Sequence, residues 1–171
     1  RICLSRPITA PIANRILATS ADQIGPIANI IQEDHIVTDN DTTSSPRQAQ
    51  AAANEGFMRR WSPRSMTGEA LTERDLLPLF EAARWAPSCF NSQPWRFVYA
   101  LPGTPAWQPT LDLLIEFNQL WAGKAGAVVA IISRTQYEAS GESAPKHSFD
   151  TGAAWMSFAL QAQHSGLVTH A

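Results

Sequence analysis

The chain has 171 residues, room for one ordinary domain. With 44% hydrophobic and 16% charged residues it can bury a sizeable core, and its formal charge of −2 gives no reason to expect a nucleic-acid or membrane-surface partner. Two cysteines, Cys3 and Cys89, make no disulfide framework and fit a reducing, cytoplasmic compartment; the longest apolar run, residues 125–132, is far short of the ~20 residues of a membrane-spanning helix.

Residues 1–55 differ from the rest. Their short apolar pieces are punctuated by Pro7, Pro11 and Pro26, and a polar tract with Asp39, Asn40, Asp41 and Pro46 follows. Such a composition buries too little apolar area to offset chain entropy, so it reads as a largely disordered leader. The first 21 residues carry Arg1, Arg6 and Arg15 and no acid, which reads either as an organelle-targeting segment or as an extension without function. The chain begins at Arg1 and stops at Ala171 just as a strand begins, so the working domain, residues 56–171, is expected to be incomplete.

Regular elements start at Thr72. With Asp75 three residues on, it forms a capping-box-like helix start, and Leu76, Leu77, Phe80, Ala83 and Arg84 recur at helical spacing. Pro78 conflicts with that pattern, so the helix is either kinked there or regular only from Leu77. A strand is predicted over 96–101, closed by Pro102 and Gly103. Leu113, Leu114, Phe117 and Trp121 give the apolar stripe of a helix over 110–122. A buried strand over 127–133 and a polar connector over 134–146 follow. The last helix is capped by Ser148, carries Asp150 at its positive end and stops at Gly166.

The commonest site motifs are absent: no glycine-rich dinucleotide or phosphate loop, no nucleophile elbow, and four histidines without metal-ligand spacing. Two clusters remain. In Arg60-Trp61-Ser62-Pro63-Arg64, Pro63 favours extended backbone, which places Arg60, Ser62 and Arg64 on one side. Two guanidinium forks and a hydroxyl suit a phosphate; the competing reading is a solvated basic patch. In the second cluster, Ser88, Asn91, Ser92 and Gln93 lie between Pro87 and Pro94, followed by Trp95 and Phe97. These short polar groups suit the edge of a flat heterocycle, or they bond their own turn.

Taken together, Arg-x-Ser-x-Arg, then Glu81-Ala82-Ala83-Arg84-Trp85-Ala86-Pro87-Ser88 with Asn91-Ser92-Gln93-Pro94-Trp95, and later Ser148-Phe149-Asp150-Thr151-Gly152-Ala153-Ala154 with Gly166-Leu167, resemble the nitroreductase family over about residues 59–171. The resemblance implies an α+β fold, an α/β/α sandwich with a mostly antiparallel central sheet, here truncated at the C-terminus. It also implies a homodimer with FMN at the interface. Arg60, Ser62 and Arg64 then resemble the residues that hold the FMN phosphate and ribityl chain. Pro87, Ser88, Cys89 and Asn91 resemble the loop lent to the flavin ring by the opposite protomer, and Asn118 a group at the ring's polar edge. Gln93, Trp95 and Asp150 are assigned to structure.

The activity implied is electron transfer from NAD(P)H to a nitroaromatic, quinone or similar small-molecule acceptor by a ping-pong cycle, with no catalytic side chain and no metal. A non-catalytic flavin-binding or interaction protein is the alternative. Cys89 stands where the family often has a small hydroxyl residue, and no histidine is placed by sequence to activate its thiol. The family's C-terminal part, which supplies contacts near flavin N5, further basic residues and an arm around the partner, lies beyond Ala171.

Overall fold

The computed structural model describes residues 19–20, 30–34 and 49–171. Its elements are β1 (Thr19–Ser20), β2 (Ile30–Asp34), α1 (Glu55–Arg59), α2 (Glu73–Arg84), β3 (Trp95–Ala100), α3 (Trp107–Leu111), α4 (Glu116–Ala122), β4 (Ala127–Ser133), α5 (His147–His164) and β5 (Val168–His170). The sheet order is β1-β3-β4-β2-β5. β3 and β2 flank β4 antiparallel, with Val98 opposite Ala130 and Ile31 opposite Val129. β5 pairs antiparallel with β2, and β1 runs parallel to β3. The fold is thus α+β on a mostly antiparallel sheet.

Two of these strands fall within residues 1–55, where composition predicts a disordered leader. β2 has strand neighbours on both edges, a backbone stabilisation that local composition does not register. The rest of that segment, including nearly all of the targeting-like residues 1–21, lies outside the described residues.

Alternation along β4 divides the core. Ala127 and Val129 join Leu76, Leu79, Phe80 and Ala83 of α2 and Ala154, Phe158 and Ala162 of α5. Val128 faces the other way, toward Leu111, Ala122, Trp107 and Trp121 of α3 and α4. The sheet therefore lies between α2/α5 and α3/α4. Phe80, Phe97 and Phe158 sit with ring centroids 5.6 Å apart in each pairing, at the centre of the larger cluster. Gly126, which leads into β4, is required by close approach: a Cβ there would meet Leu71 Cγ at 2.7 Å and the Glu69 carbonyl oxygen at 2.8 Å.

α2 starts where the capping pattern predicts. The Asp75 carboxylate accepts both the Thr72 N–H and its hydroxyl at 2.7 Å. The helix runs on through Pro78 from Glu73, so it does not wait for Leu77. Leu77 is exposed, and Leu79 takes the buried place expected of it. Helical spacing from Leu76 selects Leu79, Phe80 and Ala83, whereas Leu77 falls about 100° off that face.

The helix predicted over 110–122 is two short helices. Ile115 adopts an extended conformation (φ −62°, ψ 148°) and caps α4, and the Gln119 side-chain amide donates to the Leu114 carbonyl at 2.7 Å across the break. This rotates Leu113 and Phe117 out of the expected stripe and into solvent. α5 begins two residues earlier than predicted, and Ser148 lies inside it; Lys146 is the N-cap and makes no side-chain capping bond. Its end is as predicted. Gly166 (φ 77°) lets Leu167 N–H donate to Ala162 O at 2.8 Å and Gly166 N–H to Gln163 O at 3.2 Å, a Schellman motif that launches β5.

Tyr99 of β3 donates its hydroxyl to Glu73 Oε1 at 2.7 Å, tying the sheet to the start of α2. Burial, then the Glu73 hydrogen bond, push the Tyr99 phenol up to about 12. A folded pKa above the unfolded value of about 10 stabilises the fold fully below pH ~10 and loses that contribution as pH rises toward ~12. The resistance of the wild type to urea unfolding is therefore expected to fall over this window, and Tyr99→Phe to remove the Tyr99 part of that decline.

Among the described residues no helix is long and apolar enough to cross a membrane. No group of three or more His, Cys, Asp or Glu side chains among them could hold a metal ion.

Candidate functional site

The Arg60–Arg64 stretch follows α1 directly. Arg60 leaves the helix in an extended conformation (φ −66°, ψ 123°), and its Nη1 donates to Ser62 Oγ at 3.3 Å. These two alternate residues therefore share one side, as strand-like alternation predicts. Pro63 is buried, and its carbonyl accepts a hydrogen bond from His170 Nδ1 at 2.8 Å. A carbonyl only accepts, so Nδ1 carries the proton and a neutral His170 has its acceptor at Nε2.

Arg64 is exposed and places its guanidinium 5.5 Å from the Phe117 ring centroid, a cation–π contact. Asn118, the next residue, accepts from Trp121 Nε1 at 3.2 Å through Oδ1, and Trp121 lies 4.4 Å from the His170 ring. Arg64, Phe117, Asn118, Trp121, His170 and Pro63 thus form one connected patch on the α3/α4 side. The sequence reading selected Arg64 and Asn118 separately. Nothing in the sequence singles out His170; of the apolar stripe, Trp121 packs on the core as expected, whereas Phe117 is exposed.

The second cluster hangs between α2 and β3. Glu81 accepts from Trp85 Nε1 at 2.9 Å and pairs with Arg84, closing the end of α2; these two contacts, Trp85 first, hold its carboxyl below the usual range. The loop then folds on itself. Asn91 N–H donates to Ser88 O at 2.9 Å, Ser92 N–H to Cys89 O at 3.0 Å and Gln93 N–H to Ser88 Oγ at 3.0 Å. Ser88 and Asn91 are thereby committed in part to their own turn, as the competing reading of this cluster requires, while Pro87 and Asn91 stay exposed.

Phe90, Asn91 and Gln93 have φ of 54°, 53° and 45°. This region is uncommon outside glycine, and for Phe90 and Gln93 it is strained. The phenyl of Phe90 is 89% exposed. Cys89 is half-buried; its N–H donates to Asp150 Oδ2 at 2.9 Å, and its sulfur accepts from the Tyr137 hydroxyl at 3.7 Å. The Cys89 bond leads the influences that push the Tyr137 phenol above its ordinary value, which keeps it a donor. Tyr137 also meets the Phe90 ring edge-on at 6.1 Å. It sits in the connector over 134–146, where composition offered no signal for it.

Residues 57–105 match the model of the nitroreductase family. No curated protein matches the chain. Among solved structures, the chain is similar to one described as the oxidoreductase containing FMN, with 41% identity and a TM-score of 0.67, covering 72% of this chain and 64% of that one. The fold is also that of a nitroreductase-like family protein from Bacillus cereus (18% identity, 69% of each chain, TM-score 0.52). A nitroreductase family protein from Clostridium novyi NT is similar in fold as well (21% identity, 66% of this chain and 64% of that one, TM-score 0.52). The chain spans less than two thirds of the length of the FMN-containing oxidoreductase. Residues 57–105 thus carry the match to the nitroreductase family, and the chain shares the fold of that family's solved structures, at 41% identity to the FMN-containing oxidoreductase.

Proposed function

We propose that the chain is the greater part of an FMN-dependent oxidoreductase that oxidises NAD(P)H and reduces a nitroaromatic, quinone or similar small acceptor in a ping-pong cycle. The observation that carries this reading is the arrangement of residues 60–64. Arg60 and Ser62 share one side of an extended segment whose middle is pinned by the His170–Pro63 bond. Arg64 stands over Phe117, next to Asn118. Two guanidinium groups and a hydroxyl fit a phosphate dianion and its ribityl chain. Bound FMN would supply the two-electron chemistry between the pyridine nucleotide and the acceptor.

The chain's own residues would bind and orient. Arg60, Ser62 and Arg64 would hold the phosphate end. The Asn118 Oδ1 accepts from Trp121, so its amide N–H groups would be the donors to acceptors such as the flavin carbonyls. Donors at that edge favour an anionic reduced ring, the electrostatic logic of an oxyanion hole. Pro87, Ser88, Cys89 and Asn91 would cover the ring of a partner protomer in a homodimer. That the solved structure with 41% identity is an oxidoreductase containing FMN supports the same choice of cofactor.

The test is a visible absorption spectrum of the purified protein after FMN addition and removal of excess. Retained flavin that is bleached by NAD(P)H and recoloured by a quinone supports the enzyme reading. Retained flavin without bleaching leaves a flavin-binding protein without turnover, and a colourless protein removes the cofactor assignment.

A further inference from the structure

Resting on the flavin reading above, we propose that Asp150 is a positioning residue that holds the 87–93 loop in its left-handed shape and so sets the face the loop offers to a flavin ring.

The turn bonds from Ser88 and Cys89 close the loop on itself but do not fix where it sits. Asp150 does. Its carboxylate, 61 residues away in sequence on α5, is 4% exposed and accepts the Cys89 N–H at 2.9 Å. A buried carboxylate demands donors, and a bond to a charged acceptor is stronger than a neutral one. The residue it grips immediately precedes Phe90 and Asn91, two of the three positive-φ positions. A strained backbone persists only where its surroundings over-determine it. The anchor is itself fixed: His147, in the first turn of the same helix, shares a 2.8 Å hydrogen bond with Ser133 at the end of β4. Loop, α5 and sheet form one brace: Asp150 takes the loop backbone at Cys89, before the first two positive-φ residues, and Arg96 of β3 donates to the Gln93 carbonyl at 3.0 Å at the loop's other end.

Two variants separate positioning from general stability. In Asp150→Ala the Cys89 N–H loses its acceptor, while in Asp150→Asn the side-chain carbonyl can still accept it. Amide hydrogen exchange in peptides spanning residues 88–93 is expected to accelerate about tenfold or more in Asp150→Ala and to be largely restored in Asp150→Asn, with β3 amides unchanged. The FMN dissociation constant of the full chain should rise about tenfold in Asp150→Ala and less in Asp150→Asn. Val129→Ala, which weakens the sheet core away from the loop, serves as the stability control.

Unchanged exchange over 88–93 in Asp150→Ala overturns the proposal. So does a loss of FMN affinity no greater than that of Val129→Ala. If the wild type binds no FMN, it is the flavin reading that fails, and the exchange experiment still decides whether Asp150 holds the loop.

Discussion

Replacing Phe158 with alanine is expected to destabilise the protein by about 3–5 kcal/mol, a large part of the ~5–15 kcal/mol that holds a typical domain together. Phe158 is 0% exposed, stacks on Phe97 at 13° and touches the rings of Phe80 and Trp155. It is therefore the point where α2, α5 and β3 meet. Truncation removes the largest fully buried side chain and leaves a cavity whose walls belong to three different elements, so collapse around it is limited. Urea-induced unfolding followed by tryptophan fluorescence measures the loss. Met156 lies two residues earlier on the same helix but is 42% exposed, and Met156→Ala should change stability by no more than about 0.5 kcal/mol. Similar costs for the two variants would mean that the aromatic cluster is not the centre of the core.

How far the sequence discloses this molecule depends on how local the governing interaction is. The capping of α2 by Thr72 and Asp75 and the Gly166 stop of α5 are settled within a few residues, and both are legible. The break between α3 and α4 is not, because Leu113, Leu114, Phe117 and Trp121 satisfy a helical period whether or not Ile115 is extended. What decides is packing against Val128 on the back of the sheet. β2 is similarly hidden, since its partners are nearly 100 residues or more away. At the candidate site, Arg60 and Ser62 could be placed on one side by alternation alone. The contacts that define their surroundings, His170 to Pro63 and Arg64 to Phe117, span 107 and 53 positions and carry no local signature. The same holds for Tyr137 at Cys89: a tyrosine in a polar connector reads as solvent-facing until the fold brings the connector across the loop.

The largest effect on binding should come from Arg60 and Arg64. Changing both to alanine is expected to weaken FMN binding by at least about 100-fold, because each charge-assisted hydrogen bond to a phosphate contributes roughly 1.5–3 kcal/mol. The cost to the fold should be small. Arg64 is exposed and its contact with Phe117 is worth about 0.5–1 kcal/mol at such a position, so the unfolding midpoint should move little while the flavin is lost. Lysine at both positions keeps the charge but not the planar fork, and should fall between wild type and the double alanine variant. Salt gives an independent reading: wild-type affinity for FMN should decline as ionic strength rises, and the alanine variant should respond less. Fluorescence titration of FMN, whose emission changes on binding, supplies all of these constants. An affinity for FMN that survives the double alanine change, with its salt dependence intact, would place the phosphate elsewhere and return residues 60–64 to the role of a solvated basic patch.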